Sequence, residues 1–323
     1  MSVRTLTVVI PVHNEAPNLR PLVDRLCAVA EKLPGWDLVL LVIDDGSTDR
    51  TITILDELRA EGRPVGYLRL SRNFGHQAAL DAGLGAAGGE AVITMDGDLQ
   101  HPPEDIPQMI EAYERGADVV QMVRNQTAPG GKGFWSKLFY RMFSMLSRTD
   151  IIPNAADFRL LSHRVVEVLG RIPEREKFLR GLIPSLGFHQ TVLQFEEGRR
   201  EGGNPSYTFV RSFQLARKAL FDFSTVPLRL VFWLGMILAV ASFCWGVGHI
   251  IKKLVFWESI TPGFTDIITS ILFLSGCILA SVGVLGRYLM IILEQVRGRP
   301  QFIVMDRVEG QPLPKESPHN RPS

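Results

Sequence analysis

Leu6-Thr7-Val8-Val9-Ile10 has the composition of a buried strand and stops at Pro11-Val12-His13-Asn14-Glu15. From there Leu19, Leu22, Val23, Leu26 and Val29 recur on one helical face as far as about Leu33. The same order then repeats. Leu38-Val39-Leu40-Leu41-Val42-Ile43 is a continuous apolar run, as a parallel strand covered on both faces requires, and it ends at Asp44-Asp45-Gly46-Ser47-Thr48-Asp49. Ser47 or Thr48 is expected to cap a helix beginning near Asp49. A strand near 65–70, the loop Ser71-Arg72-Asn73-Phe74-Gly75, a small-residue helix over 76–87 and a strand over 91–95 follow. A helix at about 104–115 and a strand over 118–123 continue the series. So regular an alternation predicts an open α/β sheet. Such sheets bind ligands outside the carboxyl ends of their strands, and each polar cluster falls at such an end. Four strand ends are therefore expected to share one crevice.

The fourth cluster, Thr94-Met95-Asp96-Gly97-Asp98-Leu99-Gln100-His101-Pro102-Pro103, points to a reaction. Asp96 and Asp98, one residue apart, can share a hard divalent cation; Mg²⁺ or Mn²⁺ takes such ligands together with substrate phosphates. The Gln100 amide oxygen would complete the protein's share of the shell. Taken alone, the tripeptide fits a solvated turn ahead of a helix that the prolines start. Its place among converging strand ends favours the metal. His76 and His101 are read as loop histidines that cap helices or bond backbone, and Asp49 as a stabiliser of its helix's first turn. Arg159 is expected to pair with Asp157 or with a phosphate.

Lys plus Arg number 35 against 34 Asp plus Glu, so no global charge points to nucleic acid. Cys27, Cys244 and Cys277 are too scattered for a disulfide framework or a zinc site. The first residues carry no secretory signal pattern, which places the first domain in the cytoplasm. From Arg124 to Lys137 the chain is Gly-rich and basic, and a helix with Phe134, Trp135, Leu138, Phe139, Met142 and Phe143 follows. It reads either as a core helix behind a flexible loop or as an amphipathic helix lying on a lipid bilayer. Residues 197–205, with Arg199, Arg200, Gly202 and Gly203, read as a lid.

Residues 230–251 and 267–285 contain no charged side chain, and apolar character resumes after Arg287 as far as Leu293. A bilayer core needs ~20 residues of helix, so both are expected to be transmembrane. Arg211, Arg217, Lys218 and Arg229 precede the first, while Arg287, Arg297, Arg299 and Arg307 lie at or beyond the end of the second. The positive-inside rule then puts the first domain and both termini in the cytoplasm of a multi-pass protein of the inner (plasma) membrane. Gly276, Ala280 and Val284 line one helix face and favour helix contact, hence a homo-oligomer. The expected division is 1–206 catalytic domain, 207–227 juxtamembrane amphipathic helix, 228–293 two membrane helices, and 294–323 cytoplasmic strand and tail, disordered after Asp306.

Five motifs occur in one order: Pro11-Val12-His13-Asn14-Glu15, Asp44-Asp45-Gly46-Ser47, Ser71-Arg72-Asn73-Phe74-Gly75-His76, Asp96-Gly97-Asp98-Leu99-Gln100-His101-Pro102-Pro103 and Asp157-Phe158-Arg159-Leu160. As a set they resemble the family 2 glycosyltransferases, in the branch of polyprenyl-phosphate sugar synthases that includes dolichol-phosphate mannose synthase and bacterial undecaprenyl-phosphate glucosyltransferases. The likeness runs over roughly residues 5–305. It implies a GT-A fold, a nucleotide-sugar donor, a polyprenyl phosphate acceptor and Mg²⁺ or Mn²⁺ at the diphosphate. By this resemblance Pro11, His13 and Glu15 contact the nucleotide, Ile43 and Asp45 its base, and Asp96, Gly97, Asp98 and Gln100 the diphosphate–metal unit. Arg124 meets the acceptor phosphate, with Lys132 and Ser136; Asp157 acts on the acceptor; and Arg200 closes over the diphosphate.

His13 stands where many relatives have Tyr or Phe, and the lid Arg200-Glu201-Gly202-Gly203-Asn204-Pro205-Ser206-Tyr207 lacks the lysine common there. The implied reaction is in-line displacement at the sugar C1 with inversion, and UDP-glucose is the favoured donor by resemblance, ahead of GDP-mannose or another UDP-sugar. A phosphate acceptor is already largely ionised near neutral pH, so Asp157 is expected to orient it more than to remove a proton. A processive polysaccharide synthase is disfavoured, since Gln214-Leu215-Ala216-Arg217-Lys218 lacks the tryptophan of Gln-x-x-Arg-Trp. A non-catalytic scaffold would need none of Asp96, Asp98 and Asp157.

Overall fold

The computed structural model describes residues 4–125, 152, 155–174, 177–196 and 264–310, with parts of 228–251. The basic stretch with Lys132 and Ser136, the lid with Arg200, and the expected juxtamembrane helix at 207–227 lie outside the described residues. The chain divides into two units, one of Met1–Tyr140, Thr149–Asn204 and Pro300–Ser323, the other of Arg141–Arg148 and Pro205–Arg299.

The first unit is built on a mixed sheet. β1 (Arg4–Val12), β2 (Trp36–Asp44), β3 (Val65–Leu70) and β4 (Ala91–Thr94) are mutually parallel. β5 (Val119–Arg124) pairs parallel with β7 (Gln190–Phe195), and β6 (Ala155–Ser162) lies antiparallel between β4 and β5. β8 (Val304–Val308) closes the far edge against β3, giving the eight-stranded order β7-β5-β6-β4-β1-β2-β3-β8.

Alternate side chains of each strand enter different layers. Leu6, Val8 and Ile10 of β1, with Leu38, Leu40 and Val42 of β2, pack with α1 (Ala16–Ala30), α2 (Thr51–Ala60) and α4 (Ile106–Glu114). Val9, Ile43, Val92 and Leu161 pack on the other face with α3 (His76–Ala86), α5 (His163–Arg171) and α6 (Leu179–Ser185). Two covered faces explain the unbroken apolar run of β2. Gly83 sets how closely α3 approaches, since a Cβ there would lie 2.3 Å from Val9 Cγ1.

Two boundaries and one strand differ from the sequence reading. α2 starts at Thr51, not near Asp49, and neither Ser47 nor Thr48 caps it; Asp49 Oδ1 accepts the Thr51 amide at 3.0 Å and its hydroxyl at 2.6 Å. Ser47 Oγ instead accepts the Asn14 amide. β8 runs past Asp306, where a tail was expected, because Ser71 N donates to Ile303 O and β3 offers an open edge. β6 is a strand although two charges interrupt its apolar pattern: Ala156, Phe158 and Leu160 fill one layer, while Asp157 and Arg159 turn to the other and pair with each other.

In the second unit α7 (Phe264–Val296) runs through Arg287 and joins the charge-free stretch 267–285 to the apolar residues that follow it. Its segment Phe273–Val296, of mean hydropathy 2.0 and with none of it buried, is the one stretch among the described residues long and apolar enough to cross a membrane. Residues 231–238 are helical, and much of the remainder of 230–251 lies outside the described residues.

Candidate active site

The loops leaving β1, β2 and β3 are laced into one floor. Asn14, at φ +58°, adopts the left-handed conformation that Asn tolerates better than most residues. Its Oδ1 accepts the Thr48 amide at 2.8 Å and the Asp49 amide at 3.3 Å. A carbonyl can only accept, so His13 Nδ1 carries the proton and donates to Asp45 O at 2.9 Å, leaving Nε2 to accept from Asn14 at 3.2 Å. The Asp45 carboxylate is 4% exposed and takes the Phe74 and Gly75 amides at 2.7 and 2.9 Å. Gly46, at φ +65°, lies so close to the Arg72 backbone that a Cβ would sit 2.4 Å from its carbonyl carbon.

Of the residues expected at the nucleotide, His13 is exposed, Glu15 is half-buried and binds Asn18 through Oε2 at 2.5 Å, and Pro11 is buried in β1. Ile43, expected at the base, is fully buried among Val9 and Leu80, and the Asp45 carboxylate binds the loop after β3.

The loop after β4 is closed by two bonds. Asp96 N donates to His101 Nδ1 at 2.9 Å, and Gln100 N to Asp98 Oδ1 at 3.1 Å, with Leu99 at φ +66° between them. Gly97 has no room for a side chain, since a Cβ would meet Val12 Cγ1 at 2.7 Å. His101 is fully buried, stacked 5.2 Å from Phe158 and edge-on to Phe195. Burial, then the nearby Arg124 charge, pushes its pKa down to about 3, so the ring is neutral. Because Nδ1 accepts, the proton sits on Nε2, 3.6 Å from Asp96 Oδ2. Burial also pushes Asp96 up to about 6; His76 opposes that rise, and the charges of Asp157 and Asp98 add to it.

β6 delivers Asp157 beside this loop, with Arg159 in register with Thr94. Arg159 is buried and donates through Nη2 to Asp157 Oδ1 and to Ala156 O. Arg180, from α6, donates Nε to Oδ1 at 3.2 Å and Nη2 to Oδ2 at 2.8 Å. His76 Nε2, on the first residue of α3, lies 3.5 Å from Asp157 Oδ2 and 3.5 Å from Asp96 Oδ1. Burial by itself would raise the Asp157 carboxyl, but the hydrogen bonds of His76 and Arg180 and the charge of Arg159 hold it well below the usual carboxylate range. Burial lowers the His76 pKa and the two carboxylates raise it, for a net increase.

Asp96, Asp98, Gln100 and Asp157 thus share one end of the sheet. Arg124 ends β5, close enough for its charge to act on His101. Backbone bonding was the expected role for His101, and it is the one found. His76 departs from it, bridging two carboxylates where α3 begins. Arg159 takes the carboxylate rather than leaving it for a phosphate. Arg180 escapes sequence reasoning; the one signal was a cation within an otherwise apolar helix, Leu179-Arg180-Gly181-Leu182-Ile183.

Among the described residues no group of three or more His, Cys, Asp and Glu side chains is arranged to hold a metal. The residues present nonetheless fit a hard cation that takes its remaining ligands from phosphates and water. Asp96 Oδ1 is buried and accepts no hydrogen bond, and Asp98 and Gln100 add further oxygens. A separate cavity of about 590 Å³ lies by the amino ends of β1 and β4. It is lined by Arg4, Glu90, Glu114, Asp118 and Arg164, whose charges pair with one another, and holds none of the residues above.

An α/β sheet with a carboxylate pair after β4 and an ionised, arginine-bound carboxylate on the neighbouring strand is the arrangement that the resemblance to family 2 glycosyltransferases implies. The chain belongs to the glycosyl transferase family 2, whose model matches residues 7–221, and it is a glycosyltransferase. It is 35% identical to an uncharacterised glycosyltransferase of Synechocystis, over 96% of this chain and 98% of that one. It is also 35% identical to a prophage-derived bactoprenol glucosyl transferase of Shigella flexneri, over 95% and 99%. A prophage bactoprenol glucosyl transferase homologue of Escherichia coli K12 is 33% identical over 93% and 98%.

Proposed function

We propose that the protein transfers one sugar, with inversion, from a nucleotide-sugar to undecaprenyl phosphate at the cytoplasmic face of the inner membrane, and that the donor is UDP-glucose. The observation that carries this reading is the alignment with bactoprenol glucosyl transferases along 95% of this chain and 99% of theirs. The grouping of Asp96, Asp98 and Asp157 at one sheet end supports it. The apolar helix ending at Val296 supports a membrane protein, with 230–251 as a second span and both termini in the cytoplasm.

In this mechanism an acceptor phosphate oxygen attacks C1 as the C1–O bond to the nucleoside diphosphate breaks. A dianionic monoester becomes a monoanionic diester, and the diphosphate leaves with the extra charge. A phosphate monoester has its second pKa at about 6, so no group need remove a proton at neutral pH. That suits Asp157: a carboxylate held far below the usual range is a poor base. Its work is to hold Arg180 and His76 in place beside the reacting groups. Asp96, Asp98 and Gln100 would hold Mg²⁺ or Mn²⁺, which when bound neutralises diphosphate charge as a Lewis acid. Pro11, His13, Glu15 and Asp45 form the nucleotide end, Arg124, Lys132 and Ser136 the acceptor-phosphate end, and Arg200 the lid.

The test is transfer of labelled sugar from UDP-glucose, UDP-N-acetylglucosamine or GDP-mannose to undecaprenyl phosphate in membranes, with Mg²⁺ or Mn²⁺, beside Asp98→Asn. Metal-dependent lipid labelling from UDP-glucose, lost in the variant, is expected. Labelling only from another donor would replace the sugar assignment. Donor binding without any labelled lipid would favour a non-catalytic scaffold.

A further inference from the structure

We propose that Arg180 is a phosphate-binding residue of this site, aimed by the Asp157 carboxylate; the proposal rests on the transferase reading above and adds a contact to it. Asp157 is buried and already has a buried counter-ion in Arg159, on its own strand. That pair is neutral without help. Arg180 brings a second cation to that carboxylate.

The two arginines differ in exposure. The Arg159 side chain is 2% exposed, as befits an internal counter-ion, and that of Arg180 is 40% exposed. Leu179 and Ile183 of α6 are both buried, which fixes the helix, and the intervening Arg180 reaches Asp157 where the amino end of β6 lies beside the carboxyl end of β4. Its Nε and Nη2 meet the two oxygens of Asp157 as a fork, a geometry that locks the guanidinium plane. His76 links the same carboxylate to Asp96, so Arg180 stands two side chains from the diphosphate–metal ligands. A preorganised, part-exposed guanidinium of this kind suits a phosphate better than any neutral ligand. The phosphate belongs either to the acceptor monoester or to the donor diphosphate.

The experiment uses the full chain in detergent, with Arg180→Gln and Arg180→Lys. Equilibrium binding of UDP and of undecaprenyl phosphate is measured together with kcat, both KM values and Tm. Loss of a charge-assisted phosphate contact is expected to weaken one of the two ligands about tenfold or more and leave the other within about twofold. Weakening of undecaprenyl phosphate assigns the acceptor, and weakening of UDP assigns the donor. Arg180→Lys should recover part of the loss, since it keeps the charge without the fork. A lowered Tm with both affinities unchanged would overturn the proposal and leave Arg180 a structural partner of Asp157. Should Arg180→Gln fail to fold, unchanged affinities in Arg180→Lys would overturn it equally. If the wild-type protein labels no lipid, the transferase reading fails on its own, and the binding measurements still decide the role of Arg180.

Discussion

Thr94 donates its hydroxyl to the main-chain carbonyl of Asp157 at 2.9 Å, inside the protein. The bond joins the strand that leads into Asp96 and Asp98 to the strand that carries the arginine-bound carboxylate. Val can replace Thr at nearly the same volume but leaves that carbonyl without its donor. Thr94→Val is expected to cost about 1–3 kcal/mol of stability, the range for a buried group left unsatisfied. It should also lower kcat more than it raises either KM, because both substrates' contacts remain. Urea unfolding and steady-state kinetics check the two parts; unchanged kcat would mean the spacing of β4 and β6 tolerates loss of the bond.

Asp157 makes a prediction about pH. Its folded pKa is depressed, so its contribution to stability is fully present above the unfolded carboxylate value of about 3.9 and is lost as pH falls toward the folded value. Asp157→Asn leaves Arg159 buried without a counter-ion, a loss of about 3–5 kcal/mol by comparison with broken buried pairs. The part of the stability gap between wild type and variant that comes from Asp157's own ionisation should therefore be complete above about pH 4 and shrink below it. The part that comes from His76, whose pKa Asp157 helps to raise, is present below the unfolded histidine value of about 6.5 and lost as pH rises. The same depression means Asp157 does not titrate in the working range. An acidic limb in the pH–rate profile that vanished in Asp157→Asn would contradict this placement.

How far the chain could be read in advance depends on where each contact lies in sequence. β1 to β4 announce themselves because each is an apolar run followed at once by its own polar cluster, and Asp96 and Asp98 belong to the cluster they serve. β6 hides because Asp157 and Arg159 interrupt its apolar run, and only pairing between them makes the pattern compatible with burial. Arg180 is 23 residues beyond Asp157 on another element, so no local spacing connects them. His76 begins a helix that looks like a packing helix, and its second neighbour, Asp96, becomes visible only when α3 is laid on the sheet. Local chemistry was legible; contacts made across the sheet were not.

Two glycines with positive φ separate backbone strain from close approach. Gly35 and Gly46 sit at φ +82° and +65°, but a Cβ would meet nothing within 4 Å at Gly35 and would overlap the Arg72 backbone at 2.4 Å at Gly46. Gly35→Ala should cost about 1–2 kcal/mol, the left-handed penalty alone. Gly46→Ala must also push apart the loops after β2 and β3, so it should cost more and weaken UDP binding, which Gly35→Ala leaves unchanged. Thermal melts and UDP titrations of the two variants make the comparison. Equal losses in both would remove the close approach as a cause.

The far edge of the sheet offers a last test, because β8 reaches it only through a missing side chain. A Cβ on Gly66 of β3 would lie 2.2 Å from Gly310 N and 2.7 Å from Val308 O, both backbone atoms that cannot swing aside. Gly66→Val should therefore fit β3 by intrinsic preference yet expel the end of β8. The uncovered edge of β3 would then present unpaired amides and carbonyls, a template for association with other chains. Hydrogen exchange should show protection falling across Val65–Leu70 and Val304–Val308, while Ala91–Thr94, four strands away from β8, keeps its own. Aggregation should rise with protein concentration in the same variant. Undiminished protection at β8 would mean that pairing at Tyr67–Leu70 alone holds the strand, and that the Gly66 contact is dispensable.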